Sequence, residues 1–257
     1  MAKTKKLSPN LRPADTPRFR YRIRFAKAGL LRWISHRDLA RLWDRLARRV
    51  ALPLSMTEGF HPKPRIAFPS ALALGVESFD EVVEIELCEQ VSVDQLLALL
   101  NSDNQPGLTI HSIALLPEGF GKAQLASCDY VISMVESADT AKLQTSIDDL
   151  RSQSQISFQR KQKTVTADVV NQIPKLEICD DGLHLTLAAT DGASLRPGDV
   201  MDLLGIGDWI AQGASIKRVS VVLAKEFTTD DRALLATVSE GECDSQSVAL
   251  PGTLPSS

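Results

Sequence analysis

The sequence predicts an α+β protein made of two consecutive ferredoxin-like units of the split βαβ kind. Three observations lead there. Over residues 18–117 the apolar periodicities run strand, helix, strand, strand, helix, strand. The same order returns over residues 123–225, without sequence identity between the halves. Between them lies Pro117-Glu118-Gly119-Phe120-Gly121-Lys122, a stretch of turn formers that suits a linker. A length of 257 residues accommodates one large or two small domains.

The first strand opens with Arg18, Arg20, Arg22 and Arg24 alternating with Phe19, Tyr21, Ile23 and Phe25. Successive side chains on a strand point to opposite faces. One face is therefore arginine, left for water or an anion, and the other is apolar. The strand is expected to run to Trp33 through a bend at Gly29. A helix follows over 36–50. Ser35 stands three residues before Asp38, the spacing of a capping box. Leu39, Leu42, Trp43, Leu46 and Val50 form one stripe at helical period. Arg37, Arg41, Arg45, Arg48 and Arg49 occupy the opposite side, with Asp44 beside them. In the loop GFHPKPR, residues 59–65, two prolines remove backbone donors and stiffen the chain. Strands are read at 66–68, 82–87 and 108–116, with a turn-like segment from Gly75 to Asp80. VSVDQLLALLNS is a second helix, starting near Ser92 or Asp94.

The second half follows the same logic. CDYVISMVE is a strand, and TAKLQTSIDDLRSQ is a helix with Leu143, Ile147 and Leu150 inward. ISFQRKQKTV reads as one strand, and LEICDDGLHLTLAAT as a strand or a hairpin turning at Asp181-Gly182. RPGDVMDLLG is a short helix with Pro197 in its first turn and Gly205 at its end. SIKRVSVVLAK closes the unit as a strand. Residues 1–17 read as a disordered basic arm and 226–257 as a disordered acidic tail, both polar and without a period.

Charge is unevenly spread. Residues 1–65 hold 17 Lys plus Arg against 4 Asp plus Glu, a net of +13. The whole chain is −3, so residues 66–257 carry −16. An asymmetry of this size points to a polyanion-binding half or an acidic partner. Arginine predominates over lysine, which favours bidentate phosphate contacts and stacking on bases. An arginine stripe on one helix is ordinarily a solvated face. Here the strand, the helix and the loop repeat the same choice. The expected RNA- or phosphate-binding residues are Arg20, Arg22, Arg24, Lys27, Arg32, His36, Arg37, Arg41, Arg45, Arg48, Phe60, His61, Lys63 and Arg65. Phe60 is expected to be exposed, where a base could stack. Trp33 and Trp43 are assigned to the core. His36 or His61 would be the acid or base if the protein were instead a metal-independent endoribonuclease.

Other chemistries find no support. Cys88, Cys128, Cys179 and Cys243 are scattered, without CxxC spacing or a nearby histidine, and read as reduced thiols of a cytoplasmic protein. Gly205-Ile206-Gly207 is a helix-end turn that lacks the third glycine of a dinucleotide fingerprint. No apolar run approaches the ~20 residues of a membrane span. The basic N-terminus has no apolar segment behind it, so no secretory signal is expected. Neither a metal, a cofactor nor a membrane partner is expected.

FAKAGLLRWISHRDLARLWDRLARR and GFHPKPRIAFPSALALGVES carry a resemblance. Lys27, Gly29, Arg32, Ser35, His36, Asp38 and Leu39, then Gly59, Phe60, Pro62, Pro64, Gly75, Val76, Glu77 and Ser78, match a family pattern. It resembles a bacterial radical-SAM-linked family of unknown function. Members stand alone or are fused to the C-terminus of cobalamin-binding-type radical-SAM proteins. The match is specific over residues 21–87 and looser to about 224. The second half departs from it by being acidic, with Lys175, Arg196, Lys217 and Arg218 as scattered basic points. The resemblance implies an accessory role beside a radical-SAM enzyme, and the family's gene neighbourhoods point to RNA. This chain has no CxxxCxxC, so it does not itself hold the radical-SAM iron–sulfur cluster. The expectation is a non-catalytic RNA-binding accessory protein whose partners are RNA and a radical-SAM enzyme. The endoribonuclease and a pure protein adaptor are the alternatives.

Overall fold

The computed structural model describes residues 17–190 and 194–227. Nearly all of the proposed basic arm and acidic tail therefore lies outside the described residues. The first half consists of β1 (Phe19–Lys27), α1 (His36–Arg49), β2 (Ile66–Ala67), β3 (Glu77–Leu87), α2 (Val93–Ser102) and β4 (Leu108–Leu116). The second consists of β5 (Leu125–Ile132), α3 (Thr140–Arg151), β6 (Gln155–Arg160), β7 (Lys163–Asp168), α4 (Val169–Gln172), β8 (Lys175–Cys179), β9 (Gly182–Ala188), α5 (Pro197–Leu203) and β10 (Ile216–Leu223). The architecture is α+β with a mostly antiparallel sheet. Its strand order is β4-β1-β3-β10-β5-β9-β8, with β2 on the edge of β3 and a separate β6-β7 hairpin.

Two cores lie along this sheet. In the first, Tyr21, Ile23 and Phe25 of β1 and Val83, Ile85 and Leu87 of β3 meet Leu39, Trp43, Leu46 and Ala47 of α1 and Leu96 and Leu100 of α2. The apolar stripe of α1 is thus buried as its period requires, and Trp43 packs edge-on to Phe25 at 5.0 Å. Each Val, Leu, Ile or Phe among them contributes roughly 1.5–3 kcal/mol when fully buried. Ser35 caps α1 by accepting from the Asp38 amide, and Ser92 caps α2 by accepting from the Gln95 amide. In the second core, Leu143, Ile147 and Leu150 of α3 and Val200 and Met201 of α5 pack with Tyr130, Ile132, Leu183 and Leu185.

Among the described residues, β3 and β10 join the halves edge to edge, in parallel, with Lys217 beside Glu77 and Arg218 beside Ser78. Several boundaries differ from the sequence expectation. β1 stops at Lys27, because Gly29 takes φ +59° and turns the chain into a 3-10 helix over Gly29–Trp33. β3 starts at Glu77, ahead of the expected Val82, because β1 and β10 both pair with its first residues. The expected strand over 156–165 is broken at Lys161, whose φ of 57° makes it the turn of the β6-β7 hairpin.

Candidate functional site

The arginines of β1 face away from the first core, but they do not face open solvent. Arg22 is buried and donates from Nε and Nη2 to Glu84 Oε1 at 3.1 and 2.9 Å. The register places Glu84 directly across from it on β3. Arg24 donates to Asp80 at 2.6–2.7 Å and to the Val221 carbonyl at 3.1 Å. Arg20 donates to the carbonyls of Phe120 and Gly121. The linker segment closes this face, with the Phe120 ring 5.5 Å from the Arg22 guanidinium and the Ala123 amide donating to Glu84. An anion cannot reach Arg22 without displacing these groups, so the expected phosphate-binding strand face is a structural layer.

A second buried cluster forms where the halves meet. Lys27 has no exposed surface, and its Nζ donates to the Ile34 carbonyl at 3.2 Å. Burial pushes the Lys27 ammonium below its ordinary range, Glu81 draws it back up, and Arg218 pushes it down. Glu81 is itself buried, which raises its carboxyl, while Arg218 opposes the rise. Arg218 reaches Glu81 at 2.9 Å, the Tyr130 hydroxyl at 3.2 Å, Ser70 Oγ at 2.8 Å and the Ala71 carbonyl at 3.2 Å. One arginine of the second half therefore fixes the loop ahead of β3 in the first. His36 lies at the start of α1, edge-on to Phe68 at 5.2 Å. Partial burial holds its imidazole below the usual range, and Lys27 and Arg218 add to that.

Two parts of the family pattern, residues 27–39 and 75–78, meet here. Gly75 donates its amide to the Arg32 carbonyl at 2.8 Å, and Gly29 donates to Glu77 Oε1 at 3.1 Å. Arg32 lies 3.4 Å from the same Glu77 oxygen. Sequence alone separates these groups by more than forty positions. Their joint role is to hold the turn between β1 and α1.

The open cationic surface is the outer face of α1. Arg37, Arg41, Arg45, Arg48 and Arg49 are all exposed. Arg41 pairs with Asp38 at 3.1 Å, Arg48 with Asp44 at 2.7 Å and Arg49 with Asp103 at 2.6 Å. Arg37 and Arg45 have no carboxylate partner among the described residues. Beyond α1 the chain makes a pinned loop. The Thr57 amide donates to the Lys63 carbonyl at 2.7 Å, the Lys63 amide to Thr57 Oγ1 at 2.9 Å, and the Arg65 amide to the Ser55 carbonyl at 2.9 Å. Phe60 is fully exposed in this loop, as expected, next to exposed His61 and Lys63. Arg65 is half-buried against the Met56 carbonyl and Glu86.

Beyond the β1 arginines, two more residues depart from their expected places. Lys27 was expected on the binding surface and is enclosed; Trp33 was expected in the core and is exposed. The local signal for Lys27 is the period-two pattern itself, which puts position 27 on the same side as Phe25. For Trp33 the signal is Gly29, which ends the strand and breaks that alternation.

Fold and surface together define an α+β protein with an exposed cationic helix face. The family model described as "Uncharacterized protein conserved in bacteria (DUF2344)" matches residues 20–197, and the chain belongs to that family. Comparison with curated proteins gives no match. Among solved structures, a chain of "Crystal Structure of a Cbf5-Nop10-Gar1 Complex" is similar at 10% identity with a TM-score of 0.41. The similarity covers 78% of this chain and 48% of that one, so the chain spans about half the length of that neighbour. No helix among the described residues is long and apolar enough to cross a membrane.

Proposed function

We propose that the protein is a non-catalytic RNA-binding module whose binding surface is the outer face of α1 together with the loop around Phe60. The observation that carries this is the pair of exposed α1 arginines, Arg37 and Arg45, left without a carboxylate among the described residues, whereas Arg22 and Arg24 of β1 are paired with Glu84 and Asp80. Two guanidinium groups free to make bidentate contacts suit phosphates. Arg41 and Arg48 would share their charge between acid partners and RNA. Phe60, His61 and Lys63 would supply stacking and local contacts. Arg20, Arg22, Arg24 and Lys27 would hold the fold that presents this surface. His36, held below its ordinary range, would be largely neutral at pH 7 and would add no cation.

We read the chain as two ferredoxin-like units, 18–117 and 123–225, sharing one sheet. Supporting this, β4-β1-β3-β2 and β10-β5-β9-β8 repeat one strand order, with the β6-β7 hairpin inserted in the second. An accessory role beside a cytoplasmic radical-SAM enzyme is supported by the motif resemblance over residues 21–87, with the acidic second half left to meet the enzyme.

The test is the salt dependence of RNA affinity. Each phosphate neutralised releases counterions, so log affinity should fall linearly with log salt concentration. Fluorescence anisotropy with a labelled RNA pool measures this. A flat response would sink the RNA reading and favour the adaptor. Metal-independent scission of an RNA hairpin, lost in His36→Ala or His61→Ala, would instead establish the endoribonuclease.

A further inference from the structure

Trp33 is 57% exposed, whereas the other two tryptophans, Trp43 and Trp209, are buried. The backbone beneath it is fixed on every side. The Ala28 amide donates to the Gly107 carbonyl at 2.9 Å, and the Gly75 amide donates to the Arg32 carbonyl at 2.8 Å. A Cβ at Gly75 would lie 3.3 Å from the indole, so glycine is what allows the ring to rest against that backbone. Residues three apart align in a 3-10 helix. Leu30 therefore stands on the same side as Trp33, and Leu30 and Leu74 are both strongly exposed beside it. The Arg32 guanidinium lies 5.0 Å from the indole centroid.

The Arg32 guanidinium at the face of this ring is also approached by Glu77 of β3, at 3.4 Å. Residues 27–37 contain no aspartate or glutamate. Arg37, the first of the two α1 arginines without an acid partner among the described residues, lies four residues beyond Trp33 at the start of the open face of α1. A single rigid aromatic at the end of an arginine row fits a nucleobase attached to a chain of phosphates. Base–aromatic stacking tolerates any base, because every base offers a π-face.

We infer that Trp33 is the base-stacking platform of the RNA surface and that the ligand class is single-stranded RNA. One unpaired base lies on the indole, and the following phosphates run along Arg37, Arg41 and Arg45. A duplex keeps its base faces inside the stack, so it gains nothing from the indole. The inference rests on the RNA reading above and goes beyond it in naming the strandedness and the residue.

The full chain provides the test, because Trp33 is its exposed tryptophan. Fluorescein-labelled 12-mer oligouridylate and a blunt RNA duplex of equal length are titrated while anisotropy and tryptophan emission are read. The single strand should quench the emission, and the duplex should bind without quenching. Trp33→Ala should weaken oligouridylate binding by roughly ten- to a hundredfold and leave duplex binding unchanged. Trp33→Phe keeps an aromatic face and should retain most of the affinity, which covers the case in which the alanine variant fails to fold. Salt-dependent binding without quenching, unchanged in both variants, would overturn the inference while the RNA reading stands, and would assign the Leu30–Trp33–Leu74 patch to a protein partner. No salt-dependent binding of either probe would overturn both.

Discussion

Arginines on β1 and arginines on α1 have opposite fates. On β1 the spacing of two puts Arg20, Arg22 and Arg24 on one face, and that face is closed by Glu84, Asp80 and the carbonyls of the linker. On α1 spacings of three and four put Arg37, Arg41, Arg45 and Arg48 on one face, and these residues stay exposed among the described residues. Composition treats the two rows alike. What separates them is the opposing element: EVVEIEL in β3 supplies a carboxylate at the pairing register of Arg22, whereas among the described residues no strand pairs against that side of α1. Where the charge is removed from solvent it becomes a structural commitment, since an unpaired buried ion costs several kcal/mol. Where it stays in water it is cheap to keep and free to bind.

The largest test of this contrast is Arg22→Met. It leaves Glu84 buried with only the Ala123 amide, and stability should fall by about 3–5 kcal/mol in chemical denaturation. Arg22→Met combined with Glu84→Leu should recover most of that loss. A single variant within about 1 kcal/mol of wild type would erase the distinction between the two rows.

Next comes Arg37→Gln with Arg45→Gln. RNA affinity should fall by roughly 1–3 kcal/mol with a shallower salt slope, while the melting temperature stays within error. Arg41→Gln with Arg48→Gln should cost less affinity, because Asp38 and Asp44 already engage those guanidinium groups. Equal losses from the two pairs would mean that the acid partners do not matter.

A smaller effect is expected from pH. The folded-state imidazole of His36 lies below its unfolded value of about 6.5, so the unfolded chain takes up a proton first as pH falls. Its contribution to stability is complete above about pH 6.5 and is lost as pH falls through 6.5 toward the lower folded value. Solvent screening keeps this below about 1 kcal/mol per pH unit. Comparing denaturation midpoints of wild type and His36→Gln between pH 7.5 and 5 isolates it, and RNA affinity of the variant at pH 7.5 should be unchanged. Smallest of all is Asp44→Asn, which removes an exposed i, i+4 pair and should change stability by about 0.5 kcal/mol or less. A drop above 1 kcal/mol in a thermal melt would show that the α1 face carries structure after all.

Local pattern settled a good part of this molecule in advance. The helical stripe from Leu39 to Leu46, the apolar side of β1, the Ser35 cap and the strand Leu108–Leu116 all follow from periodicity within a few residues. The exposure of Phe60 follows from a short proline-bounded loop with no apolar period. These features depend on neighbours in sequence, and so the sequence by itself determined them. The ends of elements were less legible where a single glycine or a distant pairing partner decides, as at Gly29 and at the start of β3.

Tertiary structure alone decided what the charges do. Glu84 lies 62 positions from Arg22, and Glu81 lies 137 positions from Arg218. No window of sequence places those carboxylates against those guanidinium groups. Lys27 is enclosed because β3 and β10 meet where it points, and Trp33 is exposed because the loop at Gly75 stops beneath it instead of covering it. Whether a charged or aromatic side chain ends as a brace or as a surface depends on which remote element arrives opposite. That is set by sheet register and chain topology, which act over distances that local periodicity does not encode.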